Sequence, residues 1–247
     1  MNNTPYITVV LAMSADGKIA DANRSPARFG SSADRAHLEQ QIAQADGVLM
    51  GAATLRAYGT TLSVSSPELQ QQRQQAEKPP QPVQIVVSRL AELDPHYRFF
   101  RQAIPRWLLT TTAGAARWQG RKEFEQILVF DASMGSSCLL EIHWPAALNH
   151  LSIMGLQTLA VLGGGELVAS LLDANFVDEL WLTVCPLLLG GATAPTPVSG
   201  AGFAIDLAPR LQLLSAEVVG QEVFLHYCRQ HGFPIRCPDP DVTMDKV

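Results

Sequence analysis

The alternation of short apolar runs with helix-like segments most constrains the fold of this chain. Five runs rich in β-branched and apolar residues predict buried strands: YITVVLAM (6–13), DGVLMG (46–51), QIVVS (84–88), TLAVLGG (158–164) and DELWLTVCP (178–186). Continuous apolar runs of this length are typical of strands buried on both faces of a parallel sheet. The pattern therefore predicts an α/β fold with a mostly parallel central sheet and helices on both faces.

The segments between and after these strands complete the prediction. SSADRAHLEQQIAQA (31–45) predicts a helix capped by Ser31 or Ser32, and a later helix begins at Glu166. RLQLLSAEVVGQEVFLHYCR (210–229) predicts an antiparallel C-terminal hairpin that turns near Gly220.

We expect one domain over residues 1–230. Within it, residues 60–82 form a Gln- and Pro-rich surface insertion, because a strand-like run follows this segment at once. The tail at 231–247 carries prolines and little apolar content, so we expect it to be poorly ordered.

The composition excludes several classes of protein. A net charge of −5 leaves no large basic footprint for nucleic acid. No apolar run reaches the roughly 20 residues of a membrane span, and the N-terminus lacks the basic region of a signal peptide. The cysteines are scattered without a CxxC pair, which favours free thiols in a reducing cytoplasm and no zinc site. They are Cys138, Cys185, Cys228 and Cys237. We therefore expect a cytoplasmic protein that holds no metal.

Three predicted strand ends carry groups suited to anions. Ligands of such sheets bind beyond the carboxyl ends of the strands. LAVLGGGELVASLL (159–172) puts three glycines before a helix, so the backbone and the first helical N–H groups can approach a phosphate. Thr54 opens a helical turn after another strand, and Ser88 and Arg89 suit a phosphate monoester. Each motif alone is better explained as a tight turn, an N-cap or a surface pair, but the three together favour a dinucleotide.

Ordered segments of the chain resemble a known superfamily. MGAATLRAYG (50–59), IVVSR (85–89), VLGGGELVASLL (161–172) and DELWLTV (178–184) are similar to the cofactor-binding segments of dihydrofolate reductases. MSADGKIA (13–20) looks more like the riboflavin-biosynthesis reductases, which form the C-terminal domain of a bifunctional deaminase–reductase. The resemblance covers about residues 6 to 229. It implies a dihydrofolate-reductase-like fold of eight or nine strands and NADPH-dependent reduction of a pyrimidine ribose phosphate.

The resemblance also implies roles for individual residues. Ser88 and Arg89 would face the adenosine 2′-phosphate, and the peptide between Gly163 and Gly164 would be cis. The diphosphate would be lined by Gly51, Thr54, Gly163, Gly164, Gly165, Glu166, Leu167 and Val168. The nicotinamide would be bordered by Ala12, Ile19 and Ala20, under a mobile loop of Asp16, Gly17 and Lys18.

Two polar residues are candidates for catalysis. Asp34 lies in the first turn of the first helix, where dihydrofolate reductases hold their substrate-binding acid, and Thr183 matches a threonine that orders that acid. Asp34 could relay a proton to the substrate. It could equally be an acid favoured by the helix dipole, and Thr183 a choice of β-propensity.

The chain departs from the family at its substrate side. Ser65 and Ile42 stand near positions where the riboflavin reductases place arginines for the substrate phosphate, and Tyr58 stands where they carry an acid. Three functions therefore stay open. The first is the riboflavin-type reductase, the second is reduction of dihydrofolate or another small molecule on the same fold, and the third is non-catalytic nucleotide binding. The resemblance also implies a homodimer formed through C-terminal strands.

Overall fold

A nine-stranded sheet forms the centre of the protein. The structure, a computed structural model, describes residues 4–132 and 142–230. The strand order is β5-β4-β3-β2-β6-β1-β7-β9-β8. All pairings among β1 to β7 are parallel, whereas β9 is antiparallel to both β7 and β8. The strands are β1 Tyr6–Ser14, β2 Gly47–Gly51, β3 Val83–Ser88, β4 Arg106–Thr110, β5 Gln126–Val129, β6 Thr158–Val161, β7 Glu179–Cys185, β8 Leu211–Val219 and β9 Glu222–Arg229.

Helices cover both faces of this sheet. One face packs against α5 and α6 in a core that includes Val9, Val87 and Leu171. The opposite face packs against α1 around Ile42 and against the segment around Phe99. The predicted mostly parallel sheet, the helices on both faces and the C-terminal hairpin are thus confirmed. The helices are α1 Ser32–Gln44, α2 Ala52–Tyr58, α3 Pro67–Gln75, α4 Thr112–Ala116, α5 Trp144–Ile153 and α6 Gly165–Asp173, with a 3-10 helix at Arg98–Arg101.

Local signals in the sequence explain where these elements begin and end. Ser31 caps α1, since its side chain accepts hydrogen bonds from the N–H groups of Ala33 and Asp34. Gly59 ends α2 in the left-handed conformation that glycine adopts without a steric penalty. Gly220, at φ +64°, makes the hairpin turn where it was predicted. The peptide between Gly163 and Gly164 is cis, as the resemblance implies.

The Gln-rich insertion contains a helix that the sequence did not predict. Helix α3 lies within it and packs against α1 through Arg73, whose side chain is 2% exposed. The guanidinium of Arg73 donates to the carbonyls of Ala43 and Ala45 at 2.7 Å and to that of Pro79 at 2.8 Å. The bonds to Ala43 and Ala45 satisfy carbonyl groups at the C-terminal end of α1, which no helical N–H reaches. Few apolar residues mark α3, so its hydrophobic pattern is too weak to predict it.

The cysteines differ in part from the expectation of free thiols. Cys185 is a buried free thiol. Cys228 is disulfide-bonded, and its partner lies outside the described residues. The expectation that all four thiols are free is therefore wrong for Cys228, because spacing in the sequence does not reveal which cysteines meet in space. The tail at 231–247, predicted to be poorly ordered, also lies outside the described residues.

Candidate functional site

A cavity of about 620 Å³ opens beyond the C-terminal ends of β2, β3 and β6. Its volume is in the usual range for small-molecule sites. The three predicted anion-binding motifs follow these three strands, so they meet in this one cavity. The predicted residues that line it are Lys18, Ile19, Ala20, Gly51, Thr54, Ser88, Arg89, Gly164, Gly165, Glu166 and Leu167.

The glycine run gives the cavity a wall without side chains. A Cβ placed on Gly164 would have only Thr54 Oγ1 within 4 Å, at 3.6 Å, so it would project into the cavity. A Cβ on Gly165 would instead lie 2.3 Å from the carbonyl oxygen of Thr196, which is a severe clash. Glycine is therefore required at 165 by packing, whereas at 164 it leaves open space toward Thr54.

The N-terminus of α6 faces the same space. The N–H groups of Leu167 and Val168 donate to the carbonyl of Gly164, so the hydrogen bonds of the helix start there. The N–H groups of Gly165 and Glu166 come earlier, where no helical carbonyl precedes them. Together with the helix dipole they form a region of positive potential suited to an anion.

Cationic side chains outnumber carboxylates around the cavity. Lys18, Arg24, Arg56 and Arg89 contribute to its lining, against the carboxylates of Glu92 and Glu166. Arg89 is exposed at the end of β3, and Ser88 beside it is buried, with its Oγ accepting the N–H of Ala91. Arg56 donates from Nη1 to the carbonyl of Glu92 at 3.2 Å. The cavity therefore offers several positive charges although the chain as a whole is acidic.

Asp16 anchors the predicted mobile loop instead of lining the cavity. Its carboxylate accepts from Ser14 Oγ at 2.6 Å and from the N–H groups of Leu189 and Gly190. These hydrogen bonds lower the pKa of Asp16 to about 2. The carboxylate thus ties the loop after β1 to the segment after β7, while Lys18 and Ile19, a few residues on, line the cavity.

Three of the predicted cofactor-binding residues do not line the cavity. Val168 is 2% exposed because the turn of α6 directs it into the core. Gly163 contributes its carbonyl to a 2.8 Å hydrogen bond from the N–H of Gly51, which joins two strand ends. Ala12 pairs in register with Thr183 across β1 and β7.

Asp34 and Thr183 lie together between α1 and β7. The Thr183 hydroxyl donates to the Asp34 carboxyl, and Thr183 is 3% exposed. Burial raises the pKa of Asp34 and the negative charge of Glu222 adds to this, while the bond from Thr183 opposes it. Glu222 was not predicted as a site residue. In the sequence, the only signal for Glu222 was an acid at the start of the last strand. No periodicity links that strand to α1.

Tyr58 connects this pair to the cavity. Its ring is among the cavity-lining residues, and its hydroxyl donates to the carbonyl of Ala27 at 2.8 Å. Burial raises the pKa of Tyr58, with a smaller contribution from the charge of Asp34. Asp34 thus interacts electrostatically with a cavity-lining residue and does not itself line the cavity.

Fold and site together define an α/β protein with a ligand site at the carboxyl edge of its sheet. The chain belongs to the RibD C-terminal domain family, which matches residues 5–225. Its relatives are named as reductases and proteins of riboflavin biosynthesis, and the chain is an oxidoreductase of this family.

Two archaeal reductases are similar along most of their length. The 2,5-diamino-6-ribosylamino-4(3H)-pyrimidinone 5′-phosphate reductase of Archaeoglobus fulgidus is 30% identical over 81% of this chain and 88% of its own. The reductase of the same name from Methanothermobacter thermautotrophicus is 27% identical over 90% and 97%. The riboflavin biosynthesis protein RibD of Bacillus amyloliquefaciens is 28% identical, but this chain spans only 56% of it.

Solved structures share the fold. A pyrimidine reductase-like protein from Corynebacterium diphtheriae superposes with a TM-score of 0.76 at 19% identity, covering 93% of this chain and 94% of its own. The deaminase/reductase of Thermotoga maritima gives 0.70 at 19% identity over 92% of this chain and 57% of its own. These structures share the predicted α/β fold, with its mostly parallel sheet and antiparallel C-terminal hairpin.

Two kinds of feature are absent from residues 4–132 and 142–230. Within these ranges, no group of three His, Cys, Asp or Glu side chains is arranged to hold a metal ion. No helix there has the length and apolar character needed to cross a bilayer.

Proposed function

We propose that this chain is an NADPH-dependent reductase of a pyrimidine ribose phosphate in riboflavin biosynthesis. The substrate is 5-amino-6-(5-phosphoribosylamino)uracil or 2,5-diamino-6-ribosylamino-4(3H)-pyrimidinone 5′-phosphate, the compounds that appear in the names of similar proteins. The observation that carries the proposal is the meeting of three anion-binding motifs in one cavity. We place this reductase in the cytoplasm and treat residues 1–230 as its single domain.

The cavity fits the diphosphate of a nicotinamide dinucleotide. The open space at Gly164 lets backbone atoms approach an anion that any side chain there would displace. The N–H groups of Gly165 and Glu166 and the hydroxyl of Thr54 supply donors around that space. Ile19 and Ala20 line the cavity and border the nicotinamide in this proposal, and Lys18 adds a positive charge at its rim.

Hydride transfer requires the two reacting rings to be held in register. When bound, the reduced nicotinamide supplies the hydride. The chain contributes a site that orients both ligands. It also contributes Asp34, which does not itself line the cavity and to which we assign the relay of a proton to the product. Thr183 holds the Asp34 carboxyl in place, and the raised pKa keeps a larger share of that carboxyl protonated near neutral pH.

Arg89→Ala should weaken NADPH binding roughly ten- to hundredfold, because charged hydrogen bonds to the 2′-phosphate are worth about 1.5–3 kcal/mol each. NADH has no 2′-phosphate, so its affinity should stay the same. Fluorescence titration of both cofactors checks this. Arg98→Ala, at an exposed arginine that does not line the cavity, is the control. Equal losses for both cofactors, or an effect found only in Arg56→Ala, would assign the role to another group.

The substrate side supports a second candidate, reduction of a different small molecule. Ile42 is fully buried in the core, and both the N–H and the hydroxyl of Ser65 donate to Glu39. Neither position offers a charge to a substrate phosphate. NADPH oxidation measured separately with the pyrimidine phosphates and with dihydrofolate distinguishes the two candidates, and cofactor binding without turnover of either would indicate a non-catalytic protein.

We expect the protein to be a homodimer. Strand β8 is the edge of the sheet and is exposed along most of its length, with Leu213 52% and Val218 78% exposed. An exposed apolar edge strand tends to pair with another chain. Light scattering at micromolar concentration should give twice the chain mass of 26.8 kDa. Leu213→Lys should shift the mass toward the monomer, and a wild-type mass near 26.8 kDa would contradict the dimer.

A further inference from the structure

Glu222 is a buried carboxylate that the proposed reaction does not yet use. It is 3% exposed at the start of β9. Its Oε1 accepts the N–H of Ser31 at 2.8 Å and the Sγ–H of Cys185 at 3.5 Å. Its Oε2 accepts the hydroxyl of Ser31 at 2.6 Å. A buried carboxylate needs such donors, and here all of them come from α1 and β7.

These bonds fix the first turn of α1. The Ser31 hydroxyl gives its one proton to Glu222, which turns its lone pairs toward the N–H groups of Ala33 and Asp34 at 3.1 and 3.2 Å. The Asp34 side chain folds back so far that a Cβ on Gly30 would lie 2.1 Å from its Oδ2. The position of the Asp34 carboxyl therefore depends on how Glu222 holds Ser31.

We propose that Glu222 is a positioning residue for Asp34, which it places by tying the N-terminal turn of α1 to β9. The inference rests on the proposed function, in which Asp34 is the proton donor. Besides holding the turn, Glu222 puts a buried carboxylate near the half-buried Asp34, and like charges close together favour protonation of one of them.

Other titratable groups also face Asp34. They are Tyr58 on α2 and Cys185 on β7, and the hydroxyl of Thr183 is bonded to it. Burial raises the pKa of Cys185 to about 12, so this thiol stays neutral at neutral pH. Among these neighbours in the described part of the chain, Glu222 supplies the negative charge that disfavours ionisation of Asp34.

The test separates the effect of the charge of Glu222 from the effect of the length of its side chain. Glu222→Gln keeps the shape and removes the charge, so the titration midpoint of the Asp34 carboxyl should fall. Carbon-13 NMR of Asp-labelled protein measures this midpoint, with Asp34→Asn to assign the signal. The descending limb of kcat/KM against pH should move by the same amount. Glu217→Gln removes a charge from the exposed side of the same hairpin and should leave both unchanged.

Glu222→Asp keeps the charge but withdraws it from Ser31. In this variant the titration midpoint of the Asp34 carboxyl should stay near the wild-type value. The value of kcat/KM should fall about tenfold, because a small displacement of Asp34 slows the proton transfer. An unshifted midpoint in Glu222→Gln, or wild-type kcat/KM in Glu222→Asp, would overturn the proposal. If Glu222→Gln does not fold, the kcat/KM of Glu222→Asp decides. The NMR titration needs no substrate, so absence of turnover in the wild type would contradict the proposed function without affecting that result.

Discussion

Gly164→Val is expected to abolish NADPH binding while the protein stays folded. The backbone at Gly164 has φ −78° and ψ −177°, an extended conformation that any residue adopts. Its Cβ would meet only Thr54 Oγ1, at 3.6 Å, so the isopropyl group would occupy the cavity instead of the core. Displacing the diphosphate from the N-terminus of α6 should weaken binding at least a hundredfold, or about 2.7 kcal/mol.

The neighbouring glycine provides a matched control. Gly165→Ala would put a Cβ 2.3 Å from the Thr196 carbonyl oxygen and 2.4 Å from Ser199 Oγ, so it should lower the melting temperature. Calorimetry and cofactor titration on both variants therefore separate binding from folding. A folded Gly164→Val that binds NADPH as tightly as the wild type would reduce the glycine run to a turn.

Asp34→Asn should lower kcat/KM by roughly a hundred- to ten-thousandfold, the usual contribution of a positioned general acid. NADPH affinity should be unchanged, because Asp34 does not line the cavity. Since the protonated carboxyl is the active form, wild-type kcat/KM should fall as pH rises through the raised pKa of Asp34, and this limb should disappear in the variant. Steady-state kinetics across pH measures both effects.

Stability distinguishes this role from that of an ordinary helix N-terminal acid. A carboxyl whose pKa is raised by folding stabilises the protein at pH values below the pKa that the carboxyl has in the unfolded chain. This stabilisation is lost as the pH rises through the pKa that the carboxyl has in the folded protein. A neutral Asn should therefore not destabilise the protein at neutral pH. Glu68→Gln, at the first turn of α3, is the control for an acid that supports only its helix N-terminus, through the helix dipole and a hydrogen bond from the Ser66 hydroxyl at 2.6 Å. A destabilised Asp34→Asn with full activity would contradict the catalytic role.

The sheet and the cavity could be predicted because they depend on local signals. Apolar runs gave the strands, and the rule that ligands bind at carboxyl strand ends brought Thr54, Ser88 and Gly164 to one site before their contacts were known. The same reasoning predicts Gly51 as a site residue, and its N–H joins two of these strand ends.

The remaining features depend on contacts between distant segments. Glu222 meets Ser31 across the whole domain, and Asp16 reaches Leu189 and Gly190 beyond β7. No periodicity or spacing in one sequence encodes such pairs. Helix α3 was missed for another reason: its apolar pattern is weak, and it packs through the buried Arg73 together with Leu69. The disulfide of Cys228 likewise has no local signal.

Consumption of NADPH by the purified protein in the presence of each candidate substrate tests the central claim most directly. The proposed function predicts that a pyrimidine ribose phosphate, with its ribosylamino group, is reduced with stoichiometric loss of NADPH absorbance. NADH should serve poorly in the same assay. Dihydrofolate, at the same concentration, should give no turnover. Oxidation of NADPH by dihydrofolate alone, or by neither compound although NADPH binds, would contradict the assignment of a riboflavin-type reductase.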